Sequence, residues 1–103
     1  MEKKEMLKDA IKNFGGYTTK QIEVANTLID IAVDGIVSIK PDILCELTNM
    51  KRSTVYFALN AFQRDGLIIK DVQKQGAFRF QQQKIDTFIK MQNNVNKLKT
   101  NKS

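Results

Sequence analysis

The chain contains no histidine and no tryptophan, and only one cysteine and one proline, among 103 residues. Without histidine, and with Cys45 alone, the common zinc sites cannot be assembled, nor can a Ser-His or Cys-His nucleophile pair. A lone cysteine makes no internal disulfide, which fits a cytoplasmic protein. The acids of the second half do not cluster for carboxylate chemistry, and no Gly-rich phosphate loop is present. These absences argue against an enzyme and against a bound cofactor. Apolar runs are short and broken by charges, so neither a transmembrane helix nor a membrane partner is expected. Met1-Glu2-Lys3-Lys4-Glu5 mixes both signs of charge, unlike a secretory signal.

What is present is a basic balance. Seventeen Lys and Arg face eleven Asp and Glu, for a net charge of +6, which suggests a polyanionic partner. The length suits one domain with an extra helix at each end, since two separate cores would be too small. The positive charge belongs to the second half: residues 38–83 hold seven bases and four acids, and residues 84–103 hold five Lys and one Asp.

Spacing of apolar residues orders the chain. Lys4 to Phe14 places Met6, Leu7, Ala10, Ile11 and Phe14 on one helical stripe, ended by Gly15-Gly16. Thr18 and Gln21 form a capping box for a second helix, with Ile22, Ala25, Leu28, Ile29 and Ala32 as its buried face and Asp34-Gly35 as its stop. Ile36 to Ile39 reads as a small strand. Pro41 fits the first turn of a third helix with apolar face Ile43, Leu44 and Leu47. That helix ends at Thr48-Asn49, where Asn tolerates the left-handed bend. A fourth helix runs from about Arg52 to Arg64 on a stripe of Val55, Ala58, Leu59 and Phe62. The period then changes from 3.6 to 2: Leu67 to Val72 is a strand, Gln73 to Gly76 a turn, and Ala77 to Gln81 a returning strand. Phe78 and Phe80 share one face of that strand. Lys84 to Lys99 is a last helix with Ile85, Phe88, Ile89, Val95 and Leu98 on one side.

The expected fold is mainly α with a small β-hairpin. Its parts are an N-terminal helix (1–16), a central unit (17–83), and a C-terminal helix and tail (84–103). Two short helices joined by a tight turn make a helix-turn-helix, and a hairpin directly after makes it winged. The run Leu47-Thr48-Asn49-Met50-Lys51-Arg52-Ser53-Thr54-Val55-Tyr56-Phe57-Ala58-Leu59, with Phe62 and Asp65-Gly66-Leu67-Ile68, resembles the winged helix-turn-helix family of prokaryotic regulators over roughly residues 19–81. The resemblance implies a recognition helix in the major groove and a wing against the backbone or minor groove. The chain departs from the pattern at two positions. Lys51 stands where the family often has a capping Ser or Thr, and Phe57 stands where many relatives carry Arg.

Lys51, Arg52, Ser53 and Thr54 open the fourth helix, where side chains and free amides meet phosphates and base edges. The plain alternative is a solvated helix end. Tyr56 and Asn60 suit hydrogen bonds to a base or phosphate. At about 100° per residue, the face opposite the core stripe is centred on Ser53, Phe57, Asn60 and Arg64, so Phe57 is expected to be exposed in an isolated domain. Three readings stay open for it: packing under the N-terminal helix or a second subunit, contact with thymine methyl groups, or a protein-binding patch. Lys74 at the hairpin tip and Arg79 on the return strand are placed for phosphates or a minor groove, or serve solubility alone. Lys40 adds a candidate backbone contact, and Cys45 reads as a small core residue.

The terminal helices either pack on their own domain or pair two copies; a homodimer through them is expected. The function expected is sequence-specific binding of double-stranded DNA by a transcription regulator. A plasmid or phage replication or maintenance initiator, and a protein-interaction module, are the alternatives. No ligand pocket is evident, which leaves a small-molecule effector open.

Overall fold

The computed structural model describes residues 2–73 and 76–100, with the side chains of residues 4–73 and 76–98. The first helix, α1 (Glu2–Phe14), stops at two glycines with different jobs. At Gly15 a Cβ would lie 2.6 Å from both the Ile11 carbonyl oxygen and the Tyr17 ring, so only glycine fits. Gly16 has a φ of 71°, the left-handed region that glycine enters without penalty.

The second helix, α2 (Thr19–Ile31), starts on the capping box read from the sequence. Thr18 Oγ1 accepts from the Gln21 amide at 3.2 Å, and Gln21 Oε1 accepts from the Thr18 amide at 2.9 Å. The end differs from expectation. Ala32 is already extended, and Val33 and Ile36 exchange backbone hydrogen bonds across Asp34-Gly35. Both turn residues have positive φ, 54° and 78°, the pattern of a type I′ turn, for which Asp-Gly is a preferred pair. The dipeptide is a two-residue chain reversal and not a helix stop. The buried face is also corrected: Gln21, Val24, Ala25, Leu28 and Ile29 are buried, whereas Ile22 and Ala32 are half-buried.

Strand β1 (Ile36–Ser38) follows, then helices α3 (Pro41–Thr48) and α4 (Arg52–Arg64), strands β2 (Ile68–Lys70) and β3 (Ala77–Phe80), and helix α5 (Gln82–Thr100). The strands form one antiparallel sheet in the order β1-β3-β2. In register, Arg79 of β3 stands between Ile36 and Ile69. The strands are shorter than expected, because single backbone bonds such as Gln81 to Leu67 close the pairing at its ends.

The core lies where α2, α4 and the sheet meet α1. Ile11, Val24, Leu28, Val37, Val55 and Phe62 are fully buried there. On α3 only Leu44 is buried; Ile43 and Leu47, expected in its apolar face, are largely exposed. Cys45 is half-buried against the core.

Helix α1 packs along both α2 and α5. Lys8 Nζ reaches Asp30 of α2 at 2.6 Å, and Asn13 Nδ2 donates to Gln92 Oε1 of α5 at 2.8 Å. Of the α5 stripe expected to be apolar, Phe88 is buried and Leu98 is exposed, while the polar Gln92 is buried in its place. Among the described residues no helix is long and apolar enough to cross a membrane.

Candidate nucleic-acid interface

Three residues, 49–51, join α3 to α4. Asn49 adopts the left-handed conformation (φ 55°, ψ 43°), and the Met50 amide returns to the Cys45 carbonyl at 3.1 Å. The bend therefore sits where the sequence placed it, on the non-Gly residue that tolerates it best. Lys51 occupies the cap position of α4 without a side-chain cap hydrogen bond, since an ammonium has no lone pair to offer the helix amides.

Helix α4 buries Val55, Ala58, Leu59, Ala61 and Phe62. Its opposite side carries Lys51, Arg52, Ser53, Tyr56, Phe57 and Asn60, all exposed, with Thr54 half-buried at the edge. Phe57 is 68% exposed, so it does not pack under α1. A shallow groove joins Ser53, Thr54 and Phe57 to Thr18, Thr19 and Lys20 at the start of α2. The linear sequence gave the α2 start through its capping box, but nothing local places it beside α4. That neighbourhood is tertiary.

Arg52 is the most constrained cation of this face. Its Nη1 lies 3.1 Å from Asp42 Oδ1 on α3, and its Nη2 donates to the Tyr56 hydroxyl at 3.4 Å. The guanidinium carbon stands 5.5 Å from the Tyr56 ring centroid, within cation–π range. The Tyr56 hydrogen bond and then the Asp42 charge raise the Arg52 pKa further above its ordinary value. Sequence reasoning missed Asp42 entirely, because the pair crosses from one helix to the next.

No protein-family model, curated protein or solved structure matches the chain.

Arg79 is exposed but does not line the groove; its Nη2 pairs with Asp71 at 3.6 Å. Lys74, proposed for the hairpin tip, lies outside the described residues. Among the described residues no three His, Cys, Asp or Glu side chains come together in a metal-binding group. The face offers cations, hydroxyls, an amide and two aromatic rings on one helix, which suits binding to a charged polymer.

Proposed function

We propose that this protein binds double-stranded DNA sequence-specifically as a transcription regulator. In this reading the fold is a winged helix-turn-helix, with α3 and α4 as the two helices, α4 in the major groove and the β2–β3 hairpin as the wing. The observation that carries it is the exposed side of α4, where Lys51, Arg52, Ser53, Tyr56, Phe57 and Asn60 stand together while the opposite side holds the core. The net charge of +6 supports it. Cytoplasmic localisation and a homodimer through the terminal helices belong to the same proposal.

Fluorescence anisotropy of a labelled random-sequence duplex tests the DNA binding, and the ratio of affinities for a selected and a scrambled duplex tests its specificity. Affinity is expected to fall steeply with salt, with a log–log slope of roughly −0.9 for each phosphate engaged. Absence of binding at low salt, or a flat slope, overturns the reading.

The exposure of Ile43, Leu47, Tyr56 and Phe57 favours a second reading, a protein-interaction module. Under it, Phe57→Ala abolishes capture of a partner and leaves the fold intact. Under the DNA reading, the same variant weakens binding to duplexes that present thymine methyl groups to α4. A replication or maintenance initiator would use the same face as a regulator. Sequencing the DNA recovered with the protein separates those two.

A further inference from the structure

All three arginines of the chain are paired with an aspartate: Arg52 with Asp42 at 3.1 Å, Arg64 with Asp65 at 3.5 Å and Arg79 with Asp71 at 3.6 Å. The lysines behave differently. Lys20, Lys40, Lys51 and Lys70 make no ion pair among the described residues, and only Lys8 does. The two kinds of cation thus do different work on the same chain. Free lysines supply diffuse charge, which any duplex attracts equally. An arginine held in one orientation supplies a planar fork, which only particular base edges match.

Arg52 is where this division bears on the DNA face. Asp42 holds one terminal nitrogen from α3, and Tyr56 holds the other from one turn along α4. An exposed ion pair alone is weak, but contacts from α3 and from Tyr56 favour one orientation of the guanidinium. Two of its nitrogens are engaged, and a guanidinium carries five donor hydrogens, so donors remain for a base. Asp42 also sets a negative charge on the face, which repels phosphate and keeps Arg52 from settling on the nearest backbone oxygen.

Resting on the DNA reading above, we infer that Asp42 is a positioning residue for Arg52: it lowers affinity for duplex DNA in general and raises discrimination between sequences. Asp71, with a side chain only 6% exposed, pairs with Arg79 at 3.6 Å through a single contact, so the inference is confined to Arg52.

The test uses the full chain. A preferred duplex is first selected from a randomised pool with the wild-type protein. Affinities for that duplex and for a scrambled one are then measured against salt for wild type, Asp42→Asn, Arg52→Lys and the double variant. Asp42→Asn is expected to bind the scrambled duplex up to about fivefold more tightly, the scale of an exposed ion pair. Its salt slope there steepens by about 0.9, as Arg52 gains a phosphate. The ratio of selected to scrambled affinity falls. Arg52→Lys lowers that ratio too, and adding Asp42→Asn to it lowers the ratio no further. Asp42→Ser, which also suits the first turn of α3, is the second variant if the Asn substitution impairs folding.

The outcomes separate. Wild type that binds no duplex at low salt ends the DNA reading and the inference with it. Wild type that binds, with an Asp42→Asn protein of unchanged ratio and slope, overturns the inference alone. Equal losses on both duplexes with an unchanged slope would make Asp42 merely structural, and also overturn it.

Discussion

Lys51 occupies the cap of α4, where a hydroxyl or carboxylate oxygen would serve the helix and an ammonium does not. The helix gives up stability at that residue, and the DNA reading supplies a reason: a cation beside free helix amides meets a phosphate well. Lys51→Ser should therefore move two observables in opposite directions. Replacing a poor cap by a good one is worth about 0.5–1 kcal/mol, read as a higher urea midpoint. Loss of the cation should make the salt slope of duplex binding shallower by about 0.9. A variant that gains stability and keeps its slope would remove Lys51 from the face. At this scale the sequence was informative, because helical phase alone separated Val55, Leu59 and Phe62 from Phe57 and Asn60. It could not show that Arg52 is engaged, since Asp42 lies ten positions earlier and on another helix.

Between elements, Tyr17 ties the start of α2 to the end of α4. Its ring meets Phe62 edge-on, with centroids 5.0 Å apart and planes at 87°. Burial, and then a hydrogen bond to Asp65, push its phenol above the ordinary value of 10.0. The folded pKa is the higher one, so this group's contribution to stability is complete below pH 10. As pH rises past about 10 the unfolded chain sheds the proton while the folded chain keeps it, and stability declines. Thermal melts above pH 10 should therefore fall more steeply for wild type than for Tyr17→Phe, where lysine titration is common to both. Parallel curves would mean that the phenol is not held neutral. The elements themselves were largely legible, since caps, turns and apolar spacing are local. Their faces were less so. The apolar residues of α2 fill half of its circumference, with Ile22 at one edge and Val24 towards the other. The helix touches α1, α3 and α4, so periodicity alone could not say which edge is buried. The short α3 fully buries Leu44 alone, with half-buried Cys45 beside it against the core, and its exposed Ile43 and Leu47 mimic a buried stripe.

For the molecule as a whole, the homodimer proposal turns on the apolar surface that a second copy would meet. Leu7, Ala10 and Ile11 of α1 are all buried against their own chain, which leaves α1 no apolar stripe to offer. Helix α5 differs. Met91 and Leu98 are exposed, and Val95 between them is half-buried. Their spacing of four and three residues puts them on one edge, the pattern of a helix–helix seam. Sequence reading assigned Leu98 and Val95 to the same side as Phe88, because nothing in the sequence marks the polar Gln92 as the residue that faces α1 and bonds to Asn13. The proposed homodimer is thus narrowed to this edge of α5. Light scattering on the full chain should give about twice the 11.8 kDa of one copy. Glutamates at both Met91 and Leu98 should return it to a single copy by placing like charges across a two-fold seam. The same change should leave α1 packed, because neither residue is buried. A wild-type mass of one copy would end the dimer proposal, and a double variant that still pairs would move the interface elsewhere. The duplex selected by wild type carries the complementary signature: a dimer calls for two inverted half-sites about 10 base pairs apart, whereas a single copy calls for one.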